Sequence, residues 1–160
     1  MIKIVLVSDN HFNSAVLKYI LYKEQDADMY LHCGDSEMTM KELLPFVSVK
    51  GNNDYDYEMP RQRFFDVLGH RILMLHGDPY VSSISDRGLI EKAKKEKADV
   101  VFYGHTHRYD DHTSEGIRMI NPGSCNMNRD MTPPSYAKIT IDERYIDVRR
   151  IDIDIDAYMK

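Results

Sequence analysis

The sequence predicts an α/β domain, with strand–helix units of the parallel type first and antiparallel strands later. Three observations carry this. Continuous apolar runs of strand length, such as KIVLVSD at 3–9, alternate with segments patterned for helices. The C-terminal part instead alternates apolar and polar residues, as an antiparallel strand with one wet face does. The 160 residues, 42% hydrophobic and 29% charged, suit a single domain spanning 1–160 with a real core.

Taken in order, the 3–9 run is a strand covered on both faces. Asn13 and Ser14 can cap a helix running to about Glu24, with Val16, Leu17, Ile20 and Leu21 on one face. ADMYLHCGD (27–35) repeats the plan of apolar strand followed by Gly-Asp. EMTMKELLPF (37–46) is a short helix stopped by Pro45, and FVSVKGNND (46–54) is a strand emptying into a polar turn. RQRFFDVLG and HRILMLHGD (61–78) form a hairpin joined at Gly69-His70. SDRGLIEKAKKEKA (85–98) has a Ser or Asp start and a basic end, which suits a helix and its dipole. Strands follow in DVVFYGHTH and GIRMINPGS, and SYAKITIDERYIDVRRIDI closes the chain as a hairpin turning near Asp142.

Composition narrows the function. A net charge of −5, from 21 basic and 26 acidic residues, argues against a grip on long nucleic acid, which needs clustered cations. No stretch approaches the roughly 18 apolar residues of a membrane span. The N-terminal apolar run ends in Ser-Asp-Asn-His without a small-residue cleavage site, so it reads as a strand and not a signal peptide. Cys33 and Cys125 are too few for a disulfide framework, which makes a reducing cytoplasm the expected location.

The informative feature is how the apolar runs end. The endings are Asp9-Asn10-His11, Gly34-Asp35, Gly51-Asn52-Asn53-Asp54, His76-Gly77-Asp78 and Gly104-His105-Thr106-His107. Ligands of open α/β sheets bind outside the carboxyl ends of the strands, so these side chains would gather in one place. Oxygen and imidazole donors without thiolate suit Mn, Fe or Zn ions. The set is too large for one tetrahedral ion and points to two. Any one of His11, His76, His105 and His107 read alone is equally a structural histidine, and Asp9 and Asp35 read alone are equally turn residues. All of them at one shared rim favour ligands.

This order of blocks resembles the calcineurin-like metallophosphoesterases: D-x-H at 9–11, G-D at 34–35, G-N-x-D at 51–54, H-G-D at 76–78 and G-H-T-H at 104–107. NPGS at 121–124 resembles the short bacterial and archaeal YfcE-type branch. The resemblance implies a sandwich of two sheets flanked by helices, a four-layer α-β-β-α fold. It implies that Asp9, His11 and His107 hold one metal, that Asn52, His76 and His105 hold a second, and that Asp35 bridges both. It also implies two divalent ions, Mn foremost with Fe, Zn or Ni as alternatives, and hydrolysis of a phosphate ester. Two ions about 3.5–4 Å apart can share a water, present it as hydroxide and neutralise phosphoryl oxygens.

One position departs from the family pattern. Where many members carry histidine after the metal-binding asparagine, this chain has Asn53, which cannot act as a general acid near neutral pH. The expected substrate is therefore a small phosphodiester or activated aryl ester in preference to an alkyl monoester. Asp54, closing the same block, is either an orienting residue or a turn residue. Rival readings are a phosphomonoesterase and a non-catalytic protein-binding scaffold, as in the retromer subunit of the same architecture.

The remaining candidates read as structural. His32 lies inside a strand and suits a hydrogen-bonded core position, His70 a solvated hairpin turn, and His112 a surface loop within reach of substrate. Arg129 is either a phosphoryl-oxygen partner or a solvated arginine, and 121–124 is a turn. Cys33 and Cys125 suit small buried positions. Tyrosines and methionines near 19–30 and 55–59 are candidates for a homo-oligomer contact.

Overall fold

A computed structural model describes residues 1–159. Strand β1 (Ile2–Val7) is the first apolar run, and α1 (Ser14–Lys23) follows it with Asn13 as N-cap, its Oδ1 accepting from Val16 N. Next come β2 (Met29–His32), α2 (Met40–Leu43) and β3 (Val47–Ser48). Thr39 and Glu42 close α2 with a reciprocal capping box. The hairpin β4 (Gln62–Val67) and β5 (His70–Leu75) pairs Val67 with His70 across Leu68-Gly69. Then follow α3 (Arg87–Lys95), β6 (Val100–Phe102), β7 (Tyr109–Ser114), β8 (Ile117–Pro122), β9 (Ser135–Ile141), β10 (Ile146–Asp152) and α4 (Ile155–Met159).

The strands form two five-stranded sheets, ordered β10-β9-β1-β2-β3 and β4-β5-β6-β8-β7. Pairing is parallel for β1–β2, β2–β3, β5–β6 and β6–β8, and antiparallel at β1–β9, β9–β10, β4–β5 and β7–β8. Each apolar strand feeds two layers because its side chains alternate faces. Ile4 and Leu6 of β1 join Leu31, Ile72, Met74, Val100 and Phe102 in the cluster between the sheets. Val5 and Val7 point the other way, onto Val16, Leu17 and Ile20 of α1. In the second sheet Leu73, Leu75 and Val101 pack on Leu89, Ile90 and Ala93 of α3. The layers are helices, sheet, sheet, helix, and the expected four-layer sandwich is the fold. Each such side chain, fully buried, contributes roughly 2 kcal/mol.

Several local expectations change. β7 stands where a surface loop around His112 is expected: only one face of this edge strand meets protein, so it lacks an apolar run, and Tyr109 packs against the inter-sheet core. His112 accordingly sits on a strand. Its Nδ1 faces Asp110 Oδ2 at 2.5 Å and its Nε2 faces Asp86 Oδ2 at 2.8 Å. Asp86 precedes α3 without capping it, its carboxylate being committed to that contact. His70 is the first residue of β5, half-buried, with Nδ1 3.0 Å from Asp99 Oδ2. Asn121 and Pro122 end β8, so the turn begins only at Gly123. α4 is unforeseen. Its Tyr158 accepts from Asn13 Nδ2 and stacks near Tyr19 at 5.5 Å, holding the short helix on α1.

Candidate metal centre

The carboxyl ends of β1, β2, β3, β5 and β6 converge on one rim, and each delivers one of the polar blocks. To turn their side chains toward a common point, Asp9, His11, Asp35, His105 and His107 take left-handed backbone conformations, with φ of 55°, 43°, 58°, 71° and 56°. Such conformations cost about 1–3 kcal/mol per non-glycine residue and persist where the surroundings over-determine them. Glycine is required beside them for closeness. A Cβ on Gly104 would strike Ser8 Oγ and come within 2.6 Å of Asp9 Oδ2, and one on Gly51 would strike the Asp35 carboxylate.

Two groups of donors could hold a cation: Asp9, His11 and His107, and Asp9, Asp35 and His76, the donor atoms of each group lying within 4.8 Å of one another. His11 Nε2 and His107 Nε2 are 3.0 Å apart. Asp9 Oδ1 is 3.3 Å from His107 Nε2 and 3.8 Å from the Nε2 atoms of His11 and His76. His76 Nε2 is 3.3 Å from Asp35 Oδ2 and 3.3 Å from His105 Nδ1. Asp9 thus belongs to both groups and Asp35 to one, whereas the family resemblance gives the bridging role to Asp35. His105 adjoins the second group through His76. Asn52 follows Gly51 in the rim turn and is exposed.

The outer partners of the imidazoles fix which nitrogen faces inward. His76 Nδ1 donates to Cys33 O at 2.9 Å and His107 Nδ1 to Met127 O at 3.0 Å, while His11 Nδ1 faces Glu37 Oε2 at 3.2 Å. With Nδ1 protonated in the neutral rings of His11 and His107, their two Nε2 lone pairs meet, a contact that repels unless a cation or proton lies between them. Asp9 Oδ1 strengthens the point: the carboxylate is fully buried, and among the described residues no hydrogen bond reaches this oxygen. A buried charge left so is costly unless something positive completes it. The residues fit divalent metal.

Charge within the centre follows. Burial alone would raise the Asp9 carboxyl, but His107, the charge of His76 and the Ser8 hydroxyl hold it below its ordinary value. Burial likewise opposes ionisation of Asp35, and His76 with the two Asn53 donors overcomes it, leaving the carboxyl well below the usual range. Burial would lower His76, yet Asp35 and the Asp9 charge push it up to about 9. His105 moves the other way, lowered by burial and then by His76.

Residues 2–144 match the calcineurin-like phosphoesterase superfamily domain. The chain belongs to this superfamily. Its members are hydrolases that use divalent metals, in keeping with the donor set. The chain is 30% identical to the probable metallophosphoesterase YsnB of Bacillus subtilis over 152 residues, covering 93% of this chain and 90% of that protein. A predicted phosphoesterase from Streptococcus pneumoniae superposes with a TM-score of 0.85 at 26% identity, over 94% of this chain and 88% of that one. A single mutant of Vps29 from Entamoeba histolytica shares the fold, with a TM-score of 0.76 at 18% identity over 96% of this chain and 100% of that one.

The centre is braced by surrounding residues, among them Ser8 and Glu37, which the sequence does not single out. Ser8 Oγ donates to Asp9 Oδ2 at 2.5 Å, and Ser124 Oγ donates to Asp9 O at 2.8 Å. Asn121 Nδ2 donates to Gly104 O and Thr106 Oγ1, so NPGS braces the His105–His107 turn. Glu37, the partner of His11, is invisible as a site residue because nothing in EMTMKELLPF distinguishes it from a helix-start acid. Asp54 orients the loops: Oδ2 accepts from Asp35 N and Gly51 N at 2.9 and 2.7 Å, and Oδ1 from Glu37 N at 2.7 Å. Arg129 is an exposed rim residue whose backbone N–H donates to His107 O. Cys33 and Cys125 are fully buried thiols raised by burial, with no part among the donors.

Proposed function

We propose that the chain is a metal-dependent phosphodiesterase acting on a small diester, with two ions held by Asp9, His11, Asp35, Asn52, His76, His105 and His107. The observation that carries this reading is the buried Asp9 Oδ1, which accepts no hydrogen bond and is ringed by inward-facing imidazole nitrogens. Bound there, divalent ions supply charge against the phosphoryl oxygens and lower the pKa of water. Mn is the first choice, with Fe, Zn or Ni as alternatives for this oxygen and nitrogen set.

Preference for a diester rests on Asn53. Its side-chain amide donates to Asp35 Oδ2 and its backbone N–H to Asp35 Oδ1, both at 2.9 Å, so Asn53 acts as a positioning residue for the carboxylate. An amide has no proton to give a leaving alkoxide at neutral pH, and the roughly 10²–10⁴-fold help of a general acid is absent at this position. A leaving group that departs without protonation, as from an aryl diester, suits such a site. Two buried free cysteines support a reducing compartment, the cytoplasm.

The test is assay of metal-stripped protein against diesters and monoesters, re-supplied with each ion in turn. Hydrolysis of an aryl phosphodiester that returns with one or more ions is expected, and Asp35→Asn should abolish it. Likeness to the Vps29 fold favours a second reading, a protein-binding scaffold. Protein that stays inert with every ion, and equally inert as Asp35→Asn, would favour the scaffold.

A further inference from the structure

Beside the centre lies a cavity of about 360 Å³ whose wall includes His76. It opens where the loop after β3, the start of β4 and the end of β5 meet, and Lys50, Arg61, Asp78 and Tyr80 also line it. Lys50 and Arg61 set its character. Among the described residues neither has a carboxylate within 4.0 Å, and the nearby Asp56 feels the charge of Lys50. Lys50 is steered by its surroundings: its backbone N–H donates to Pro60 O at 2.7 Å, and its ammonium lies 5.4 Å from the centroid of the exposed Tyr57 ring.

Lys50 and Arg61 thus place two cationic side chains on a wall that also carries His76 of the centre. Asp78 on the same wall offsets one of the two charges. An anionic ligand reaching from the centre into the cavity would meet both cations, and the planar guanidinium and mobile ammonium suit phosphate or carboxylate oxygens. The proposed phosphodiesterase reading accounts for one phosphoryl group at the metals and leaves this cavity unassigned. We propose that the cavity is a second-anion subsite, which selects phosphodiesters carrying an additional phosphate or carboxylate on one ester substituent, held by Lys50 and Arg61. This inference rests on the proposed phosphodiesterase activity for its kinetic arm only.

The experiment uses two aryl diesters, the 4-nitrophenyl ester of thymidine 5′-phosphate and the same compound bearing a 3′-phosphate. Wild-type protein loaded with Mn is expected to show a kcat/KM about tenfold higher for the ester bearing the 3′-phosphate, in line with charge-assisted contacts at a partly exposed site. In Lys50→Met/Arg61→Met that ratio should fall to near one. A second arm needs no turnover. Calorimetry should find thymidine 3′,5′-bisphosphate bound about tenfold more tightly than thymidine 5′-phosphate, with the difference falling as salt rises and vanishing in the double variant. Equal ratios in wild type and variant, in both arms, overturn the subsite while leaving a phosphodiesterase standing. Failure to hydrolyse either ester, together with an intact calorimetric difference, overturns the activity and upholds the subsite.

Discussion

Asn53 holds both oxygens of Asp35, its backbone N–H donating to Oδ1 and its side-chain amide to Oδ2 at 2.9 Å each. The family resemblance implies a histidine at this position, and here Asn53 is engaged in fixing a carboxylate. Asn53→His restores a titratable group while keeping the backbone donor. The expected outcome is a rise of at least about tenfold in kcat/KM for an alkyl phosphate monoester relative to an aryl diester, read from parallel assays. An unchanged ratio would show that the histidine position does not set ester preference here.

Metal should stabilise the fold through Asp9. An ion supplied at about a hundred times its Kd adds about 2.7 kcal/mol to the folded state, which for a chain of this size raises Tm by roughly 5–10 °C. Asp9→Asn removes the charged oxygen shared by both donor groups and should reduce that shift to about 1 °C or less. Thermal melts of stripped and re-loaded protein decide it. A full shift in the variant would place the ion elsewhere.

Asp54 ties three backbone donors, at Asp35, Glu37 and Gly51, with one carboxylate. Asp54→Ala leaves them unpaired and should cost about 3 kcal/mol and weaken metal binding by roughly 10–100-fold. Asp54→Asn recovers part of the stability, because its amide oxygen can still accept from Asp35 N and Gly51 N while its amide nitrogen must face Glu37 N. Urea unfolding with and without metal measures both effects, and wild-type behaviour of Asp54→Ala would assign the residue to a simple turn.

His32 predicts an acid-side loss of stability. It is fully buried, with Nε2 2.8 Å from Asn10 Oδ1 and Nδ1 accepting from Gly34 N, an arrangement that needs the neutral ring. Burial lowers its pKa from 6.5 to about 4. Between those values the unfolded chain binds a proton that the folded chain does not. Stability from this group is therefore complete above about pH 6.5 and is lost as pH falls toward 4, by about 3 kcal/mol in all. Unfolding midpoints of metal-free protein from about pH 7.5 to 4.5 should fall more steeply for wild type than for His32→Asn. Parallel slopes would exclude His32 as the cause.

The strand endings are legible in the sequence because they are local: Lys3 to Asp9, Asp28 to Asp35 and Val100 to His107 each carry an apolar run and its polar stop within a few residues. Helix α1 is legible for the same reason, its cap and its buried face lying within three turns. Strand β7 is not, since its pairing with β8 through Asp111 and Ile120 depends on a partner and not on its own pattern. The inward Nε2 of His107 depends on Met127 O, and that of His76 on Cys33 O, neither of which advertises itself as a residue type.

By itself, then, the amino-acid order determined that five polar blocks follow five buried strands, and hence an α/β scaffold with oxygen and imidazole donors on one rim. Only the tertiary structure decided that β9 inserts beside β1, that Asp9 is shared between two donor groups with one oxygen accepting no hydrogen bond, and that Lys50 and Arg61 face a cavity alongside His76. The reason is physical: periodicity and turn chemistry act over a few residues, whereas the charge an atom feels is set by whatever the fold brings within a few ångströms of it, from any distance along the chain.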